Sequence, residues 1–135
     1  MPESVAPLGF DVVRSAGCDA DLDLIHDHLF NAYRDFGDAP EIAFERAVER
    51  IRGIEDDMAA HGNVPFQGTL EPQIMEGLRY ATKGRAVFHF LVDERHREVQ
   101  VLGIFFGGQD HRRHMLERIK DLALGQSGGS DDPHA

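Results

Sequence analysis

Cysteine occurs once in the 135 residues, at Cys18, so no internal disulfide can form. Without a cysteine cluster, neither a zinc ribbon nor an iron–sulfur centre can be built. Cys18 is expected as a small buried or half-buried residue beside a helix start. No apolar run approaches the roughly 20 residues that a membrane-spanning helix needs. The stretch Met1–Phe10 has neither the basic start nor the apolar core of a signal peptide, so a cytoplasmic chain is expected. Positive charge is scarce, with 14 Lys+Arg against 24 Asp+Glu and a formal net charge of −10. That balance excludes a protein that coats nucleic acid nonspecifically. Tyrosine is confined to Tyr33 and Tyr80.

What is present is the composition of one globular domain, with 41% hydrophobic and 28% charged residues. The charge is unevenly placed: residues 1–77 sum to −11, residues 78–120 to +4, and residues 121–135 to −3. Any anion-binding surface therefore belongs to the stretch Leu78–Lys120, which also carries the strongest structural signals.

Within that stretch, Ala86–Val92 and Val99–Phe106 are rich in Val, Phe, Ile and Leu and flank a polar segment. This pattern predicts an antiparallel hairpin. Alternation puts Ala86, Phe88, Phe90 and Val92 on one face and Val87, His89 and Leu91 on the other. Both faces are largely apolar, so the strand should be central and covered on both sides. Among these residues His89 is the polar exception, expected to be a satisfied core histidine. Gly107 and Gly108 turn the chain out of the hairpin. Asp110 is then the expected N-cap of a helix with apolar positions Met115, Leu116, Ile119, Leu122 and Ala123. The first turn of that helix is His111, Arg112, Arg113 and His114, where the helix dipole favours anions rather than cations. An external anion, a nucleic-acid phosphate or an acidic peptide, would account for cations there; so would a solvated turn offset by Asp110. Lys83 and Arg85, at the entry of the neighbouring strand, join the candidate anion-binding set. Asp110, His111 and His114 offer two histidines on one helix face without a fixed third ligand, and no metal and no cofactor are expected.

Upstream, Phe10–Ser15 reads as a short edge strand. A helix is expected from about Asp19, with the stripe Leu22, Ile25, Leu29, Ala32, Tyr33 and Phe36. Gly37 ends it, and Asp38–Glu41 with Pro40 opens a second helix to about Ala60, with the stripe Phe44, Ala47, Val48, Ile51, Ile54 and Met58. Gly53 inside this helix weakens it by about 1 kcal/mol relative to Ala. His61-Gly62 supplies the stop. Asn63–Pro72 is expected to be a loop, and Met75–Thr82 a strand turning at Lys83-Gly84 into the hairpin. The expected layout is a flexible N-terminus over 1–9, one domain over 10–124 and a disordered tail over 125–135. The fold class is α+β, with an N-terminal strand and a helical hairpin packed on a small antiparallel sheet, and a C-terminal helix after the last strand.

This order of elements resembles the RelE/ParE superfamily of toxins from bacterial type II toxin–antitoxin systems, also described as plasmid stabilisation proteins. The resemblance is carried by Leu78-Arg79, Lys83-Gly84-Arg85 entering Ala86–Val92, the segment Val99–Ile104, and the turn Gly107–His111. Pro65 and Gly68 match the family's loop. The resemblance implies a cytoplasmic toxin that inhibits growth and is neutralised by a cognate antitoxin, with a homodimer or a toxin–antitoxin hetero-oligomer as the compatible assemblies. It also implies one of two mechanisms. RelE-like members cut messenger RNA on the ribosome using arginines, lysines and a C-terminal tyrosine or histidine. ParE-like members inhibit DNA gyrase by protein contact. Here the strand-entry arginine, Arg85, is displaced by one position from the RelE pattern, no tyrosine lies near the C-terminus, and Gly108-Gln109 replaces a basic pair. These departures point to the ParE-like branch. On the ribonuclease alternative, Arg85, Arg112 or Arg113 would stabilise phosphate, and His111 or His114 would transfer protons. Phe105 and Phe106 are mostly core, and the one pointing away from the helical hairpin is the candidate lining for an antitoxin groove.

Overall fold

The computed structural model describes residues 9–107 and 109–131. Strand β1 (Asp11–Arg14) leads into α1 (Ala16–Asp35) and α2 (Pro40–Ala60), and a short 3₁₀ turn, His61–Asn63, follows. Then come β2 (Thr69–Leu70), β3 (Arg79–Lys83), β4 (Ala86–Asp93), β5 (Glu98–Phe106) and α3 (His111–Asp131). No helix among the described residues is long and apolar enough to cross a membrane.

Helix α1 begins three residues before Asp19, because the Ser15 side chain accepts a hydrogen bond from the Cys18 N–H at 3.0 Å and so caps the first turn. Pro40 opens α2, but Asp38 does not cap it: its carboxylate instead takes the Arg46 guanidinium at 2.6 Å. Two expected stripe residues face outward, with Phe36 87% and Phe44 54% exposed. Phe36 lies at the C-cap of α1. Phe44 is displaced by Ala43, whose small side chain, fully buried, lets α2 approach closely along Ala43, Ala47, Ile54 and Met58.

The five strands run in the order β1-β5-β4-β3-β2. Pairing is antiparallel except that β1 lies parallel to β5, which the helical crossover between β1 and the sheet permits. The N-terminal strand thus adds a parallel edge to the expected small antiparallel sheet. The expected loop contributes β2, and β3 starts at Arg79 rather than Met75. The segment between them is folded into turns closed by Glu71 N–H to the Leu78 carbonyl (2.8 Å) and Leu78 N–H to the Met75 carbonyl (3.1 Å).

Between His89 and Phe90 the pairing to β5 skips Leu102, a β-bulge that interrupts the two-residue alternation. Val99, Val101 and Ile104 therefore share the helix-facing core with Phe88 and Phe90. Phe105 turns to the opposite face, joining Leu78 and Met115 beneath α3, with Leu91, Leu102 and Ile119 packed against them. The sheet is thus covered on both faces, by α1 and α2 on one and α3 on the other. Each fully buried Phe of β4 contributes about 1.5–3 kcal/mol of burial free energy.

Asp110 does cap α3, its carboxylate accepting from the Arg113 N–H at 3.2 Å. The seat of α3 is short: Met115 is fully buried, whereas Leu122 is 52% and Leu124 70% exposed. The helix continues to Asp131, through the glycines and serines at which a tail was expected to begin; no proline interrupts it before that point. Residues 1–8 of the expected flexible N-terminus and 132–135 of the expected tail lie outside the described residues.

Candidate functional site

Three side-chain groupings surround the end of the β4–β5 hairpin, and the sequence-derived candidates divide among them. Lys83 and Arg85 sit at the β3–β4 turn, beside α2. His111 turns inward toward the sheet, and Arg112 beside it, half exposed, reaches the buried Glu71. Arg113 points outward, pairing with Glu117 at 3.4 Å and Asp110 at 3.7 Å.

The inward grouping is built on β3, β4 and the first turn of α3. His89, fully buried, places Nε2 2.9 Å from Nδ1 of His111, so the two rings share one proton. Nδ1 of His89 is buried without a hydrogen-bond partner. Burial, reinforced by the positive side of His111, Arg112 and Arg118, pushes the His89 imidazolium down to about 3, so His89 is neutral at physiological pH. Burial also lowers His111, followed by the repulsion from Arg112. The Tyr80 ring lies 4.9 Å from His111 and 5.8 Å from His89. Arg112 donates to the Tyr80 hydroxyl at 2.6 Å and from Nε to the buried Glu71 at 3.0 Å. The arrangement holds a neutral imidazole pair against a phenol and a neutralised guanidinium.

His111 and His114 diverge despite their spacing, which removes them as joint metal ligands. His111 meets His89, whereas His114 stacks on Phe105 with centroids 5.6 Å apart and 20° between the planes. A cavity of about 350 Å³ opens beside this stack, between α1 and α3, lined by Leu24, Ile25, His28, Phe106 and Arg118 among others.

Its inner wall is an ion pair that links α1 to α3. Arg118 donates to both carboxylate oxygens of Asp21, at 2.6 and 2.7 Å. The pair also satisfies the bulge: Asp21 accepts from the Ile104 N–H at 3.0 Å, and Arg118 donates to the Leu102 carbonyl at 3.1 Å. The Asp21 hydrogen bond raises the Arg118 pKa above its ordinary value against the opposing effect of burial. Gly103 lies beneath it, and a Cβ there would stand 2.8 Å from the Arg118 guanidinium, which would have to shift.

Sequence reasoning did not single out Asp21, Glu71, Tyr80 or Arg118. Two of them had a signal. Asp21 falls on the apolar stripe of α1 between Cys18 and Ile25, and Arg118 lies one turn from Met115 on α3. A lone charge on a buried stripe requires a partner.

On the other side of the sheet, Lys83 and Arg85 meet Arg50 of α2 around a cleft of about 280 Å³. The Arg50 and Arg85 guanidiniums lie 5.4 and 5.6 Å from the centroid of the Phe106 ring. Phe105 and Phe106 are thus divided by the bulge: Phe105 is enclosed between His89 and His114, and Phe106 lies partly open beside the cations.

No protein-family model matches the chain, and curated protein sequences give no significant match. Solved structures do match. A chain of the chromosomal ParDE toxin–antitoxin system from P. aeruginosa superposes with a TM-score of 0.57 at 24% identity, covering 75% of this chain and 99% of that one. A chain of the RelBE2 toxin–antitoxin complex from Mycobacterium tuberculosis matches with a TM-score of 0.49 at 17% identity, covering 75% of this chain and 94% of that one. This chain therefore shares the fold of the matched chain of the ParDE system.

Proposed function

We propose that this chain is the toxin component of a type II toxin–antitoxin module, acting by protein contact in the ParE manner on DNA gyrase and held by a cognate antitoxin. The observation that carries the protein-contact reading is the state of Arg112. It is the cation nearest the imidazoles, and Glu71 and Tyr80 already occupy it, while His89 beside it is sealed from solvent. A phosphate seeking the paired Nε–Nη2 edge of Arg112 would have to displace Glu71 and Tyr80 from it. The likeness of the fold to a ParDE chain supports the same reading.

The test is induced expression in a bacterial host, scoring growth, DNA supercoiling and messenger RNA integrity in the same cultures. Arrest with intact RNA and a supercoiling defect is the expected result. Unimpaired growth would overturn the toxin reading and leave a non-toxic binding module.

One specific arrangement favours a second reading, a ribosome-dependent ribonuclease: Glu71, Tyr80, His111 and Arg112 form one continuous set of contacts. Opening of the first turn of α3 would expose an acid–base pair beside a cation. Ribosome-dependent RNA cuts that disappear in His111→Ala and Arg112→Ala would favour it over gyrase inhibition.

A further inference from the structure

The cleft between α2 and the β3–β4 turn has no part in the grouping around His89. Its cations, Arg50, Lys83 and Arg85, face a single carboxylate, Asp57, and among the described residues none of the three side chains makes a hydrogen bond or ion pair. Five of the other ten arginines of this acidic chain, Arg14, Arg46, Arg112, Arg113 and Arg118, hold carboxylates. Both guanidiniums reach the Phe106 ring, which offers each only a weak attraction. An anion in the cleft would supply the partner they lack.

A second feature points the same way. Gly53, in the middle of α2, lines the cleft, and a Cβ added there would meet nothing within 4 Å. No neighbour in the chain requires glycine at this position, yet glycine weakens the helix by about 1 kcal/mol relative to alanine. Its bare backbone keeps the floor of the cleft open to something that approaches closely.

We propose that this cleft is a binding site for an acidic segment of a partner polypeptide, one or two carboxylates seated on Arg50 and Arg85 with apolar neighbours against Phe106 and Ile54. A peptide fits better than a nucleic acid. Exposed Glu45, Glu49, Asp56 and Asp57 flank Arg50 on α2, and a phosphate backbone tracking past the cleft would run along them. A short segment with one or two carboxylates meets three cations and a single opposing carboxylate, Asp57, in the paired geometry that guanidinium groups favour. This deepens the partner-binding reading above and rests on it.

The experiment is selection of random displayed heptapeptides on the purified full chain, followed by Kd measurement of the selected peptides. The expected result is enrichment of Asp and Glu beside apolar residues. Arg50→Gln, Arg85→Gln and Gly53→Leu should each raise Kd about tenfold or more. Arg52→Gln, a charge-matched change on the same helix, should leave it unmoved, and thermal melts confirm that each variant folds. Selected peptides without acidic enrichment, or acidic peptides whose Kd ignores all three substitutions, would overturn the proposal. So would a single-stranded RNA 12-mer that binds more tightly than the peptides and is lost in the same variants. Because the selection uses purified chain, its failure is separable from failure of the growth-arrest assay that tests the toxin reading.

Discussion

Lowering the pH should destabilise this protein through His89, by an amount the structure sets. The side chain is fully buried, and its pKa falls from an ordinary 6.5 to about 3. Between those values the unfolded chain binds a proton that the folded chain refuses. Stability is therefore fully present above pH 6.5 and is lost as the pH falls toward 3. At pH 5 the protonated unfolded state gains about 2.303RT for each of one and a half pH units, or about 2 kcal/mol. His61 and His111 are also lowered, chiefly by burial, and add loss of the same sign. The exposed His96 beside Asp93 is raised and opposes them. The assay is urea unfolding of the wild type and His89→Leu at pH 7.5, 6 and 5. The wild-type midpoint should fall by about 1 M between the extremes. The variant, whatever its absolute stability, should lose about 2 kcal/mol less over the same range. Equal losses in the two proteins would refute the reasoning, because His89 would then not be held neutral beneath α3.

Three further outcomes follow from particular contacts. Arg118→Leu should destabilise by about 3–5 kcal/mol, since it leaves the buried Asp21 carboxylate with only the Ile104 N–H; denaturant unfolding checks this, with the near-isosteric double change Asp21→Asn/Arg118→Met losing much less. Gly53→Ala and Gly62→Ala should differ in sign. The first raises stability by about 1 kcal/mol in open space. The second lowers it by about 1–3 kcal/mol, because a Cβ at position 62 would stand 2.2 Å from the Phe10 carbonyl oxygen, and thermal melts separate the two. Cys18, fully buried and with its thiol pushed up to about 12 by burial and then Asp21, should react with a thiol reagent only at the rate of unfolding, and its labelling should accelerate sharply in denaturant.

The sequence made the elements legible wherever one periodicity ran uninterrupted. The stripes of α1 and α2, the β4–β5 pair and the cap at Asp110 all follow from local spacing, and so does the resemblance to RelE/ParE toxins. Reading failed where a tertiary contact outweighed the local pattern. Phe44 was read as core because it is large and apolar, but close approach of α2 selected Ala43 instead. Glu71 and Tyr80 carry no motif, and only the pairing of β2 with β3 brings them under Arg112.

By itself, then, the sequence determined that this is an acidic α+β domain with its cations concentrated after residue 78 and a central hairpin apolar on both faces. Those properties are sums and periods along the chain. Tertiary structure alone decided how the candidates are grouped. The skipped residue Leu102 sends Phe105 beneath α3 and leaves Phe106 with the helices, and Asp21 and Arg118, 97 positions apart, close around the freed backbone. Arg50 joins Lys83 and Arg85 only because α2 packs across the sheet. A register shift of one residue reverses which face every later side chain occupies, and whether a bulge is tolerated depends on distant groups that satisfy its carbonyl and amide.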